Sequence, residues 1–515
     1  MEESATWRGF SDPIDASTRF AELQQKLVPL WRSIQSLNRN PQTIVVIPSL
    51  TVDKALEGQV QQSYEERFLF LLFLLRQPHA RVVYVTSLEI QPSIVDYYLG
   101  LLPGVVASEA RRRLFLLSPR DGAAEPLSRK LLDRPKLIEQ IRALVPDPDR
   151  AHIVPFNTTV LERDLALRLG IPMYGCDPKH FPLGTKSGGR RMFAEAGVPY
   201  PLGIEDLSSH DDLVRGLTEL RARRPEIKEA IAKLNEGVSG EGNALVTLAG
   251  LPKSGSPSEK TELDLRVRAM RFDAPEMTYE RFEAKLREHG GVVEERIVGA
   301  EFRSPSAQLR ITPLGEVERL STHDQILGGA SGQTYLGCKF PADPAYAGAI
   351  MRAGAAIGER LAREGVIGRF AVDFVAVRDD AGAWSTYAIE INLRKGGTTH
   401  PFLTLKFLTD GTYDPGQGVF LTPRGEPKCF VATDRQESPL YRAFTPDALF
   451  DIVVRAGLHF DHSRQSGVVL HMMSALVDHG HFGLTAVANT PTDADALFAK
   501  AVSAFDQEAR VMAGV

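Results

Sequence analysis

The run YAIEINLRKGGTTHP, residues 387–401, spaces a carboxylate, a neutral oxygen donor and a cation two residues apart: Glu390, Asn392 and Arg394. Successive side chains of a strand alternate between faces, so these three share one face. Upstream, GRFAVDFVAV carries Asp373 inside a second strand-like run, and Asp379 to Gly382 between the two runs reads as a turn. A hairpin closing about Ala381-Gly382 sets Asp373 directly opposite Glu390. The result is a row of hard oxygen donors, Asp373, Glu390 and Asn392, with Arg394 at its end. Such a row suits Mg²⁺, which takes one or two carboxylates and fills its shell with phosphate oxygens and water; Mn²⁺ suits the same donors. A solvated hairpin with charges on its wet face is the alternative for a bare D…E-x-N. The flanking Phe370, Val372, Phe374, Val375, Ile389 and Ile391 argue for the metal, because carboxylates among apolar neighbours need a partner.

A nucleotide-phosphate site also needs cations and a close-fitting backbone. AIAKLNEGVSGEGNALV, residues 230–246, places Lys233 in a short apolar strand, then supplies Gly237, Ser239, Gly240 and Gly242 before a second strand from Ala244 to Val246. Strand–glycine loop–strand is a flap whose N–H groups can close over phosphate oxygens. It is not a Walker loop, since GxxxxGK[ST] is absent. In VVEERIVGAEF, residues 292–302, Glu294 and Glu295 close a strand and Glu301 follows a short linker containing Ile297. Such a linker can offer backbone groups to a base and a carboxylate to ribose hydroxyls. Lys186, in GTKSGGRRMFAEAGVPYP, opens a helical segment that stops at Gly197 with Pro199 beyond.

In order and interval, Lys186, Lys233 with its glycine flap, Glu294 to Glu301, and Asp373…Glu390-x-Asn392-x-Arg394 resemble the ATP-grasp superfamily over roughly residues 180–425. The resemblance implies that Lys186 and Lys233 contact ATP phosphates under the glycine hairpin. It implies that the linker binds adenine and ribose and that Asp373, Glu390 and Asn392 hold Mg²⁺. The Asp373–Glu390 interval is a little longer than in compact members, as for a lengthened hairpin. A narrower resemblance, carried by KLLDRPKLIEQIR (130–142), LGTKSGGRRMF (183–193), EFRSPSAQLRI (301–311) and STHDQILGGASGQTYLGCKFPA (321–342), is to bacterial ligases related to the pheganomycin peptide ligase.

That family implies ATP-dependent joining of a carboxylate to an amine through an acylphosphate, releasing ADP and phosphate. Arg394, and Arg369 on the strand face of Asp373, are candidates to stabilise the transferring phosphoryl group and the tetrahedral oxyanion. Arg303 and Arg310 flank SPSAQL and can grip a substrate carboxylate, with ion pairing of Arg303 to Glu301 as the alternative. His323, Asp324 and Gln325 precede the glycine-rich LGGASG and suggest a substrate-covering element. A small-molecule kinase and a non-catalytic ATP-binding regulator are the alternative readings. The complete donor row argues against the regulator.

The elements that must position these residues fall into three expected parts. Residues 1–180 alternate apolar strands (43–50, 81–87, 113–118, 152–157 and 171–175) with helical patterns, as in a parallel sheet covered on both faces. This is a Rossmann-like layer without GxGxxG, so no dinucleotide is implied; resemblance makes it the pre-ATP-grasp domain. Residues 181–427 hold the two-lobed α+β ATP-grasp fold, with a helix from about Ala345 to Arg363 before the metal hairpin. Residues 428–515 read as an appended α/β module. Its His459, His462, His471, His479 and His481 lack a compact HxxxH pattern and read as exposed or structural.

The most apolar run, FLFLLFLL (Phe68 to Leu75), is too short to span a bilayer. Ser63 and Glu66 have capping-box spacing before it, so a buried helix from Tyr64 to about Arg76 is expected. Across 515 residues, 43% hydrophobic and 24% charged content are those of a globular protein with two to four domains. A net charge of −5 without a basic aromatic patch argues against nucleic acid as a partner. Cys176, Cys338 and Cys429 are unpaired in pattern, and no apolar leader opens the chain; both point to the cytoplasm. The expected partners are thus a carboxylate and an amine, with no membrane; a homodimer is compatible with the sequence.

Overall fold

The computed structural model describes residues 9–10, 12–35, 41–51, 58–237, 242–328 and 334–514. Strands Gln42–Ile47, Ala80–Val85, Leu114–Leu117 and Ala151–Pro155 form an all-parallel sheet in the spatial order 114–117, 80–85, 42–47, 151–155. Their alternate residues serve two cores. Ile44, Val46, Val82 and Tyr84 pack on one face, while Val45, Ile47, Val83 and Val85 pack on the other. A sheet with no wet face selects continuous apolar runs, which is why these strands lack polar alternation. The expected strand at 171–175 reduces to one parallel bridge between Met173 and Ile153. Pro172 beside it has no N–H to extend a ladder.

The helix expected from Tyr64 to Arg76 is two pieces instead. An α-helix spans Gly58–Glu66, and a 3₁₀ helix spans Leu69–Arg76. No capping box forms: the Ser63 hydroxyl donates to the Val60 carbonyl, and Glu66 accepts from the Ser474 amide at 3.0 Å. The apolar run is buried as expected, with Leu69, Phe70, Leu72, Phe73 and Leu75 at most 1 % exposed. A segment enclosed on every side has no single apolar stripe to enforce the 3.6-residue period, and here the tighter turn is adopted.

A five-stranded antiparallel sheet follows, in the order Gly203–Leu207, Gly291–Glu295, Glu229–Leu234, Asn243–Thr247, Arg271–Phe272. Leu213 and Leu217 of the helix His210–Arg223, with Phe282 and Leu286 of the helix Tyr279–His289, fill its core. Residues 296–300 then cross to a nine-stranded sheet in which Gly368–Arg378, Pro305–Ile311 and Val317–Gly328 are successive neighbours. The helix Pro344–Arg363 packs on the latter two strands, close to its expected limits. The C-terminal strands Cys429–Glu437, His481–Ala488 and Gly467–His471 continue this same sheet, because Thr334–Phe340 pairs with Cys429–Glu437. The segment after 428 therefore shares a sheet with what precedes it. Among the described residues no helix is long and apolar enough to cross a membrane.

Candidate active site

The hairpin formed by Gly368–Arg378 and Trp384–Asn392 turns through Asp379–Ala383, with Gly382 at φ 87° and its N–H donating to Asp379. Its register pairs Asp373 with Glu390 and Ala371 with Asn392. The ladder shifts between Asp373 and Phe374, an irregularity of the kind that re-aims side chains beside sites. Asp373 accepts from the Asn392 amide at 2.8 Å and from the Gln325 amide at 2.8 Å. The Lys186 ammonium lies 2.6 Å from Glu390 Oε1.

The electrostatics follow from crowding two carboxylates in a half-buried row. Burial, and then the Glu390 charge, push the Asp373 carboxyl up to about 7. Against the opposing pull of burial, Lys186 and Arg394 hold the Glu390 carboxyl below its ordinary range. Two adjoining carboxylates with only monovalent cations beside them, plus an amide that can turn its oxygen toward them, are a donor set that fits Mg²⁺.

Lys186 is the first residue of the helix Lys186–Glu195, whose N-cap Thr185 accepts from the Gly188 amide at 3.1 Å. That first turn is tight: a Cβ on Gly188 would sit 1.8 Å from the Pro182 carbonyl oxygen. The Ser187 amide donates to the Asn235 side chain at 2.9 Å, which fastens this turn to the strand carrying Lys233. Lys233 is buried and ion-paired to Glu294, which also meets Arg190 at 3.2 Å. Gly237 and Gly242 mark the two ends of the flap, where Leu234 N–H donates to the Gly242 carbonyl at 2.9 Å. Ser239 and Gly240 lie outside the described residues, as does most of the LGGASG segment.

The remaining expected residues separate. Glu295 is buried and accepts from the Leu202 amide at 2.8 Å and from Arg224. Ile297 lies in the exposed crossing between the two sheets, next to Val298 at 73 % exposure. Glu301, at the far side of that crossing, pairs with Arg303 and, at 2.6 Å, with Arg378. The ion-pair alternative for Arg303 is thus the one observed. Arg310 likewise pairs within the protein, with Glu318 at 2.6 Å, and lies over the Trp31 ring.

Arg369 is four residues along the strand from Asp373, about 13 Å at strand rise. Burial, and then the neighbouring Arg310, lower its guanidinium to about 9, and its Nη1 finds no partner among the described residues. The strand register sets Arg369 opposite Arg310, while Asp373 stands opposite Ser306. Arg394 does remain at the end of the row, within the field of Glu390 and Asp373 and 5.9 Å from the Phe156 ring. His323 and Asp324 both belong to the strand Val317–Gly328, and His323 is fully buried.

Sequence reasoning missed Gln325 as a partner of Asp373, and Asn235, although the K-x-N spacing of Lys233 and Asn235 carried the second signal. It also passed over Lys395. Burial, and then Arg369, lower that ammonium to about 7, and it donates to the Pro155 carbonyl at 2.5 Å.

Comparison with known proteins agrees with this geometry. The chain matches the IQCH-like ATP-grasp family over residues 180–268 and 266–416, and a PGM1 C-terminal domain over 448–500. It is 32% identical over 451 residues to the L-propargylglycine–L-glutamate ligase of Streptantibioticus cattleyicolor, covering 86% of this chain and 89% of that protein. It is 24% identical to the IQ motif-containing protein H of Danio rerio, over 76% of this chain and 41% of that protein. Among solved structures, a biotin carboxylase–β,γ-ATP complex from Campylobacter jejuni superposes with TM-score 0.52 at 14% identity, covering 88% of this chain and 89% of its own. A 2-oxoglutarate carboxylase biotin carboxylase domain from Hydrogenobacter thermophilus, in complex with MgADP, ADP and bicarbonate, gives 0.51 at 13% identity, covering 88% and 87%. At such identities the likeness is one of fold. With the curated relative matched along nearly its whole length, the chain belongs to the ATP-grasp family, as an ATP-dependent ligase that forms carbon–nitrogen bonds.

Proposed function

We propose that this ligase activates an amino-acid carboxylate with ATP and joins it to the amine of a second amino acid or peptide. The observation that carries the reading is the Asp373–Glu390 pair in register, with Lys186 on Glu390 and Arg394 at the end of the row. A carboxylate oxygen of the substrate attacks the γ-phosphorus, ADP leaves, and an acylphosphate results. The amine then attacks the acyl carbon, and the tetrahedral oxyanion collapses with loss of phosphate and a proton.

Lys186 and Lys233 neutralise the terminal phosphates, with the backbone N–H groups of Gly237 and Gly242 offered to the phosphate oxygens. Asp373, Glu390 and Asn392 would hold Mg²⁺, which when bound draws charge from the phosphate oxygens. Arg394 supplies N–H donors where the oxyanion develops. The crossing at Ile297, between Glu295 and Glu301, supplies backbone groups for the base and a carboxylate for the ribose. The relative's substrates, L-propargylglycine and L-glutamate, support amino acids as the substrate class. Three buried free cysteines support a reducing, cytoplasmic setting.

The test is the fate of ATP. Purified enzyme is screened with pairs of amino acids by mass spectrometry for loss of water, and the active pair is then followed with ¹⁸O in the carboxylate. Label in the released phosphate, together with ADP and a hydroxamate when hydroxylamine replaces the amine, is expected. AMP and pyrophosphate as products would overturn the mechanism.

A further inference from the structure

Three side chains far apart in sequence bring one ligand atom each to a common point. His400 Nε2 and His471 Nε2 are 3.0 Å apart, and Asp434 Oδ1 lies 3.1 Å from the first and 3.2 Å from the second. The triangle is nearly equilateral. A cation about 2.1 Å from each of three ligands separates them by about 3.0 Å on an octahedral face and by about 3.4 Å in a tetrahedral shell, so the triangle fits the first and opens slightly for the second. The two imidazoles are 4 % exposed and the carboxylate 13 %, so the three ligand side chains are held inside the fold.

The local backbone is built to bring these atoms together. His400 lies in the first turn of the helix Thr399–Thr409. Asp434 falls where the ladder between Cys429–Glu437 and His481–Ala488 shifts, between Thr433 and Gln436. His471 ends its strand opposite Gly483, and a Cβ on that glycine would come within 2.2 Å of the His471 ring. Met472, directly after, takes the left-handed conformation at φ 56°, a strained state that tends to cluster at functional sites. Behind the vertex, Arg67 donates to the other Asp434 oxygen at 2.8 Å, fixing the carboxylate as an outer-shell partner does.

We propose that His400, Asp434 and His471 form a binding site for one first-row transition cation such as Zn²⁺, separate from the Asp373–Glu390–Asn392 row. Two imidazoles and one carboxylate on one face suit this class of ion, whereas Mg²⁺ takes an all-oxygen shell. Three protein ligands leave coordination positions for water or a substrate heteroatom. Arg67, behind the vertex, and Arg394, at the end of the donor row, both lie against the Phe156 ring, at 5.3 and 5.9 Å, so the site borders the ligase centre. His471, expected to be exposed or structural, finds its partners outside its own segment, which its local spacing did not show. The proposal does not depend on the ligase reading.

The untagged full chain, stripped with a chelator and held in excess Mg²⁺, is titrated with Zn²⁺ by calorimetry and with Co²⁺ by visible absorption. One equivalent of tight binding is expected, with a Co²⁺ spectrum of mixed nitrogen–oxygen ligation. Asp434→Asn and His471→Gln should each weaken it about 100-fold, with melting temperatures reported alongside. X-ray absorption on the Zn²⁺-loaded parent should count two imidazole ligands, and this readout holds even if a variant fails to fold. No stoichiometric binding by the parent, binding unchanged in both variants, or a ligand count without two imidazoles would each overturn the site and leave a hydrogen-bonded His–Asp–His cluster.

Discussion

Asp373 and Glu390 face each other across an antiparallel ladder, and Glu390 alone of the two takes the Lys186 ammonium, at 2.6 Å. The asymmetry leaves Asp373 to the amides of Gln325 and Asn392 and concentrates the negative charge of the row beside Lys186 and Lys233. Glu390→Gln keeps the shape and removes one of the two charges. Turnover, read as ADP release, should fall at least about 100-fold, while the melting temperature stays within a few degrees of the parent. Normal ADP release by this variant would end the assignment of Glu390 as a metal ligand.

Lys186 and Lys233 reach the same field from different elements, a helix start and a strand. Lys186→Ala and Lys233→Ala should each raise the ATP concentration needed for half-maximal rate by about tenfold or more, because the phosphates lose a charge-assisted partner. Lys233→Ala also leaves Glu294 with Arg190 as its remaining cation, so a lower melting temperature is expected for that variant. ATP titrations that overlay the parent for both variants would show these lysines to be structural.

Gly188→Ala probes the turn that holds Lys186 in place. With a Cβ at 1.8 Å from the Pro182 carbonyl oxygen, the helix start must shift. A destabilisation of about 1–3 kcal/mol, the usual cost of overpacking, and weaker ATP binding should appear together. An unchanged denaturant midpoint would show that the turn relaxes freely.

Two neighbouring acids give the fold a pH dependence. Burial raises both Glu65 and Glu66 to about 7 from the ordinary 4.5. The folded state therefore holds these protons more tightly than the unfolded chain. The stabilisation is fully present below about pH 4.5 and is lost as pH rises toward 7, at most on the order of 3 kcal/mol per group. Glu66→Gln should flatten part of this slope in melting temperatures taken from pH 5 to 8. A slope identical to the parent's would show that Glu66 ionises without cost in the fold.

The sequence by itself determined the hairpin, its turn and the facing of Asp373 and Glu390. These depend on strand periodicity and one local turn, and both act over a few residues. It also determined four of the five expected parallel strands, because short apolar runs alternating with helical patterns suit a sheet covered on both faces, and the helix start at Lys186, where capping is local. Tertiary structure alone decided the rest. Whether Arg303, Arg310 and Arg369 meet substrate or protein depends on which carboxylates the fold brings near, and Glu301 and Glu318 claim the first two. The 3₁₀ turn of FLFLLFLL was illegible because an unbroken apolar run carries no period. The continuation of the large sheet past residue 428 rests on pairing between edges that no local pattern encodes. The convergence of His400, Asp434 and His471 joins residues 71 positions apart through a helix turn and a strand irregularity, and only the packed sheet sets those side by side.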